Sequence, residues 1–247
     1  MNLKPVIAQK PATPRDSSKL LVYNTKTNEI IIDRFLHLDC YLPNNSFLVL
    51  NKTKVIPSRV WLKKQTGGRV EVLFLLNEKT DKESETKRVF NKLEQKGIKR
   101  LYLTLHVGLG TFAPVTEMNL KTGKLHKEYY KIEKEVFNGI LASKSKGQRL
   151  VAVGTTVVRA LESFDSSRYK TGFVQDRSTD LFIFPPYNFK MIDHLITNFH
   201  LPGSSLLMLV DAFLKFKRAK RSLNEIYEFA IKKDLRFYSF GDVMLIL

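Results

Sequence analysis

Past residue 100 the chain alternates short apolar runs of strand character with segments of helical spacing, and that alternation leaves few folds open to it. Strands are expected at 101–107, 148–153, 180–184, 195–200 and 237–247, and helices near 133–146, 155–165, 204–217 and 222–233. A chain that returns through a helix after most strands builds an α/β layer around a central sheet. Upstream, 20–23 and 29–33 alternate as the arms of a hairpin around 24–28, while SFLVL (46–50) and RVEVLFLL (69–76) are short strands. The proline-dotted residues 1–19 predict an extended lead-in. The charged stretch 77–100 carries Val89, Phe90 and Leu93 at helical spacing, with Gly97 as its stop.

With 247 residues, 43% of them hydrophobic, the chain has material for one large domain or a main domain with a satellite. Cys40 is the only cysteine, so no internal disulfide forms, as suits a reducing compartment. No run reaches the roughly 18 apolar residues of a membrane span; the longest candidate, 206–214, is broken by Asp211. The N-terminal residues have no secretory pattern, so a cytoplasmic protein is expected. The net charge is +17, from 41 Lys and Arg against 24 Asp and Glu. Such an excess favours a polyanionic partner, through release of condensed counterions, over a merely Lys-rich surface. Charge alone does not separate tRNA from DNA, ribosome or anionic lipid.

Four segments carry the polar residues of a candidate site. In TLHVGLGTF (104–112), Thr104 and His106 share a strand face, and Gly108 and Gly110 beside Thr111 let a ligand approach the backbone. With Ala113 the segment fits a dinucleotide fingerprint, but Pro114 follows and no helical periodicity does, which excludes that reading. In VGTTVVRALE (153–162) a strand ends at Gly154 and a helix starts, with Thr155 and Thr156 placed to cap it. Free amides and the positive dipole end suit a carboxylate or phosphate there, and Arg159 lies one turn in. In LITNFHLPGSS (195–205), Asn198 and His200 share a strand face ahead of a helix start at Ser204 or Ser205. In RFYSFGD (236–242) aromatic and polar residues alternate between Arg236 and Asp242, as core or as a base-stacking surface. Each segment taken singly also has a plain structural reading, as a tight turn, a capped helix or a core element. No P-loop, H-E-x-x-H, paired C-x-x-C or G-x-S-x-G pattern is present.

Together the segments say more. LHVGLGTF (105–112), VGTTVVRALES (153–163), TDLFIFPPYNF (179–189), LITNFHLPGSSLLMLV (195–210) and RFYSFGDVMLI (236–246) resemble, in this order, segments of the S-adenosylmethionine:tRNA ribosyltransferase-isomerases of queuosine biosynthesis. LNKTKVIPSR (50–59), GGRVEVL (67–73), IAQ (7–9), PRDSS (14–18) and LHKEY (125–129) resemble further segments of the same family. The likeness covers 7–76 and about 86–247.

The resemblance implies an α/β fold, a main α/β domain with a mixed sheet over 1–49 and 86–247, and a truncated β-barrel-like appendage over 50–85. It implies transfer of the ribosyl part of S-adenosylmethionine to a 7-aminomethyl-7-deazaguanine in tRNA. The sugar is isomerised to give epoxyqueuosine, and adenine and methionine leave. S-adenosylmethionine is then a substrate, no separate cofactor or metal is expected, and the partner is tRNA bearing the 7-deazaguanine precursor. A monomer is expected, with no membrane. Gly154–Thr156 and Arg159 are candidates for the methionine carboxylate, His106 and His200 for the adenine leaving group, and Glu128, Asp180 and Asp242 for the base. The departures are Lys52 where the family has Asp, Leu125 where it has Met, and a loss between Leu76 and about Glu85. That loss removes most of the family's barrel and a P-T-A-G-L-H-F segment. Two other readings share these residues: an inactive descendant that binds RNA through its charge, and a different S-adenosylmethionine-using transferase on the same scaffold.

Overall fold

The apolar runs pair into one nine-stranded mixed sheet with helices on both faces. A computed structural model describes residues 4–53, 59–63, 69–73, 83–108, 114–164 and 177–247; Gly110 and Thr111 lie outside the described residues. In chain order, β1 (Val6–Ile7) precedes a 3-10 turn (Arg15–Ser17) and the hairpin β2 (Lys19–Asn24) and β3 (Glu29–Arg34). Short helix α1 (Leu38–Tyr41) leads to β4 (Ser46–Asn51), then to the antiparallel pair β5 (Arg59–Lys63) and β6 (Arg69–Leu73) and to α2 (Glu83–Gln95). β7 (Arg100–Leu105), α3 (Glu117–Thr122), β8 (Lys124–Lys131), α4 (Lys134–Ser145), β9 (Arg149–Val153) and α5 (Thr155–Glu162) follow. β10 (Arg177–Leu181), β11 (His194–Asn198), α6 (Ser205–Phe216), α7 (Leu223–Lys232), β12 (Arg236–Phe237) and β13 (Val243–Ile246) complete the described chain.

The sheet order is β10-β8-β7-β4-β9-β11-β13-β2-β3. β4, β7, β9 and β11 run parallel, β13 is antiparallel to β11, and β2 is parallel to β13. Side-chain alternation divides the strands between two cores. Phe47, Val49, Leu150, Ala152, Leu195 and Met244 face α4, α5, α6 and α7, while Leu48, Val151, Ile196 and Leu245 face α1 and α2. Burial of each large apolar side chain contributes on the order of 1.5–3 kcal/mol, so this division fixes the register.

Most expected elements form within a few residues of their predicted bounds. Three differ. β10 lies at 177–181 rather than 180–184: its register against β8 shifts between Thr179 and Leu181, and beyond it Phe182 N–H donates to Gly123 O at 3.3 Å. The last strand is split into β12 and β13, because 238–242 turn sharply between them. The strand β8 and helix α3 were not expected, since KLHKEYYK has few apolar residues and only Glu128 and Tyr130 turn inward.

The 238–242 turn is built around close backbone approach. Gly241 N–H donates to Tyr238 O at 2.9 Å, Asp242 N–H donates to Arg236 O at 2.8 Å, and the Arg15 guanidinium donates to Gly241 O at 3.3 Å. A Cβ on Gly241 would meet the Arg236 carbonyl oxygen and lie 2.7 Å from the Phe237 backbone. Gly241→Ala is therefore expected to destabilise the protein by about 2 kcal/mol, because the obstacle is main chain and cannot rotate away. A urea titration of both proteins measures it, and an unchanged midpoint would mean the turn is loose.

Candidate active site at the carboxyl edge of the sheet

In open α/β sheets a crevice opens at the carboxyl ends of neighbouring strands whose connections leave on opposite faces. β4 and β9 are such neighbours. The chain leaving β4 returns through α2 on one face, and the chain leaving β9 enters α5 on the other. Leu50 pairs with Val153 in this register, so Asn51 and Gly154 flank the crevice.

Asn51 belongs to the LN segment but was not singled out from sequence. Its side chain continues the β4–β7 ladder: Nδ2–H donates to Leu105 O and Oδ1 accepts from Leu105 N–H, both at 3.0 Å. Oδ1 also accepts from Thr53 N–H at 3.0 Å. One amide thus ties the last residue of β7 to the start of the long connection after β4. Gly154 has φ +98, where an L side chain is strained, and its N–H donates to Ile196 O at 2.7 Å. Contrary to expectation neither Thr155 nor Thr156 caps α5: Gly154 is the N-cap, and among the described residues no side-chain cap hydrogen bond is made to the first turn. The leading amides of α5 therefore keep their capacity for an anion.

The centre of charge beside this crevice is buried. Glu128 on β8 and Arg159 on α5 form an ion pair between Oε2 and Nη1, with each residue 2% exposed. Glu128 Oε1 accepts from Gly108 N–H at 3.1 Å, and Arg159 Nε–H donates to Leu181 O at 3.2 Å. The pair thereby joins β8, α5, β10 and the turn after β7. Arg159 Nη2 is buried without a partner among the described residues. Such an orphaned donor costs on the order of 1–3 kcal/mol unless a ligand or water satisfies it.

A second group gathers Asn198, Arg236 and Asp242. Asp242 is buried and both of its oxygens are engaged: Oδ1 accepts from Lys19 N–H at 2.9 Å and Arg236 Nη2–H at 3.0 Å, and Oδ2 from Arg236 N–H at 2.8 Å. Asn198 Nδ2–H donates to Asp242 O at 3.1 Å. These contacts lock the β12–β13 turn to the end of β11. The aromatic residues of this turn divide by role. Phe237 packs with Phe199 and Tyr227 in the core, and Tyr238 and Phe240 are exposed.

The histidines depart from the strand faces assigned to them. β7 ends at Leu105 and β11 at Asn198, so His106 and His200 stand just beyond the strand ends. His106 N–H still donates to Tyr129 O at 2.8 Å, and its Nδ1 is buried without a partner among the described residues. His200 turns back, Nε2 lying 2.9 Å from Thr197 Oγ1, and burial pushes its pKa down to about 4. It is therefore neutral at pH 7. Thr104 is half-buried on β7. Asp180 lies on β10, with Oδ2 3.5 Å from Lys124 Nζ. Among the described residues no group of three His, Cys, Asp or Glu is placed to hold a metal ion.

Two consequences are measurable. Arg159→Met leaves Glu128 buried without its counter-charge and is expected to cost about 3 kcal/mol of stability in denaturant. Adding Glu128→Gln restores part of that loss, and a double variant no more stable than Arg159→Met would refute the pairing argument. His200 and His194 both have pKa values lowered from 6.5 to about 4, mainly by burial. Between those values the unfolded chain binds protons that the folded chain does not, so stability falls as pH drops from 6.5 towards 4. The double variant His194→Gln/His200→Gln is expected to flatten that slope in pH-resolved thermal melts.

The site's segments match known proteins. A model of the "Queuosine biosynthesis protein" family matches residues 3–85 and 84–246. The S-adenosylmethionine:tRNA ribosyltransferase-isomerase of Halothermothrix orenii is 35% identical over 333 aligned positions, covering 98% of this chain and 96% of the relative. That of Sulfurihydrogenibium sp. is 35% identical over 335, covering 99% and 97%. The crystal structure of the S-adenosylmethionine tRNA ribosyltransferase from Thermotoga maritima superposes with a TM-score of 0.68 at 31% identity, covering 100% of this chain and 99% of that one. The alignments are longer than this chain's 247 residues, so the relatives hold segments with no counterpart here. A family model matched along nearly the whole chain, and relatives of this identity and coverage, establish that the chain belongs to the queuosine biosynthesis protein family.

Proposed function

We propose that this protein transfers and isomerises the ribosyl moiety of S-adenosylmethionine onto 7-aminomethyl-7-deazaguanine in tRNA, giving epoxyqueuosine and releasing adenine and methionine. The observation that carries the reading is a convergence. Asn51, Gly108, Glu128, Gly154 with Arg159, and Asn198 come from five separate stretches of sequence and meet around the carboxyl ends of β4, β7, β9 and β11. S-adenosylmethionine serves as substrate, with no separate cofactor or metal.

Roles follow from which polar atoms remain uncommitted. The uncapped first turn of α5, over Thr155 and Thr156, together with the orphaned Nη2 of Arg159, suits the methionine carboxylate. The sulfonium acidifies the neighbouring sugar CH₂, so a carboxylate base can remove a proton there. Glu128 and Asp242 each have both oxygens engaged and act as positioning residues. Asp180 alone of the three keeps an oxygen without a partner among the described residues, and we assign it the base. A neutral His200 is a poor proton donor but a competent hydrogen-bond donor, so we assign it, with His106, to the departing adenine. Exposed Tyr238 and Phe240 offer stacking surfaces for bases beside the anticodon. The protein works as a cytoplasmic monomer, which light scattering checks.

Adenine release from S-adenosylmethionine, with tRNA carrying the 7-aminomethyl-7-deazaguanine base and with unmodified tRNA, tests the reading. Release with the modified tRNA alone is expected, and Asp180→Asn should slow it by about 10²-fold or more. Salt-sensitive tRNA binding without adenine would leave an RNA-binding protein and overturn the enzyme. S-adenosylmethionine turnover that leaves no queuosine precursor in tRNA would mean a different transferase.

A further inference from the structure

The edge of the sheet opposite the candidate site gathers cations from segments far apart in sequence. Four connections meet there: 25–28 between β2 and β3, 144–149 ahead of β9, 190–193 ahead of β11, and 217–222 between α6 and α7. Within them stand nine Lys or Arg and one carboxylate, Asp193, with Glu29 just beyond the first. Asp193 is already shared. Its carboxylate accepts from Leu150 N–H at 2.8 Å and lies 3.2 Å from Lys144 Nζ and 3.4 Å from Arg149 Nη1, and its carbonyl accepts from Lys217 Nζ at 3.0 Å. Arg221 N–H donates to Tyr23 OH at 3.1 Å, which seats the 217–222 connection against the end of β2.

The cations crowd one another. Burial first, then Lys26 among its charged neighbours, pushes the Lys217 pKa below its ordinary value, with Arg149 acting the same way. Like charges held together without counter-charge destabilise the fold locally, and a polyanion relieves that repulsion. Lys26, Arg218 and Lys220 are exposed, and no hydrogen bond or ion pair to their side-chain cations is found among the described residues.

We propose that this amino edge binds backbone phosphates of RNA, as a contact surface separate from the reacting nucleotide. The choice of RNA rests on the tRNA substrate proposed above. The strands between the two edges are about six residues long, roughly 20 Å at the usual rise, so one folded RNA can touch both. Lysine and arginine side chains contact phosphate without reading sequence, so the surface contributes affinity and leaves specificity to the crevice.

The test is tRNA affinity as a function of salt for Lys26→Gln/Arg218→Gln/Lys220→Gln, beside a control, Lys121→Gln/Lys134→Gln/Lys232→Gln, that removes the same charge elsewhere. Unmodified tRNA is the probe, so the result does not depend on turnover. The edge variant is expected to bind ~10-fold or more weakly near 0.1 M salt, with the slope of log K against log salt reduced by about 3. Its adenine release at saturating modified tRNA should be unchanged. Equal losses in both variants, or none in either, would overturn the proposal. Loss confined to the edge variant in a protein that releases no adenine would keep this surface and remove the enzyme reading instead.

Discussion

Burial of both faces of the central strands is the constraint on which the rest depends. β4, β9 and β11 are too apolar to leave either face in water, so helices must cover each side, and the connections must divide between them. That division puts neighbouring connections of β4 and β9 on opposite faces. The crevice at the carboxyl edge is therefore a by-product of filling two cores. Asn51 and Gly154 stand in it because they are the first residues past the buried runs, where the backbone is released from the ladder.

Buried carboxylates then convert the crevice into a defined geometry. Each sits where two or more elements must be held in register. Glu128 holds the turn after β7 against α5; Asp242 holds β2, β11 and the β12–β13 turn; Glu162 accepts the amides of Lys190 and Met191 ahead of β11. Asp16, fully buried, accepts two hydrogen bonds from Arg88 and fastens the N-terminal turn to α2. An ion pair of this kind adds little net stability, because desolvation offsets attraction, but losing one partner is costly. The geometry is enforced by what breaking it would cost.

The sheet strands and long helices were legible because their apolar periodicity is set by burial, which sequence displays directly. α4, α6 and α7 form within two residues of expectation at either end. β8 was not legible. It projects past the end of β7 with one buried carboxylate in place of an apolar face, and charge reads as surface unless its partner is known. The partner, Arg159, is 31 residues away. Asn51 escaped notice for a related reason: an asparagine beside a strand usually signals a turn, whereas here its amide imitates backbone. The candidate residues on strand ends lie beside the crevice, but which of their atoms are committed depends on long-range contacts that no local pattern records.

The relatives carry segments that this chain lacks, and the two cores form without them. The two pieces of the family match meet at 84–85, inside the connection from β4 to β7. These strands pair in parallel over Leu48–Arg100 to Asn51–Leu103, and that ladder needs only that the connection be long enough to return. Loop-closure entropy changes by about 0.6 kcal/mol for each doubling of length, so shortening the connection leaves both cores nearly indifferent. The connection departs, however, from the carboxyl end of β4, beside Asn51 and Thr53. A segment added or removed in this connection therefore leaves from the crevice side of β4, while the parallel strands, the Glu128–Arg159 pair and the Gly154 start of α5 are held by contacts made elsewhere.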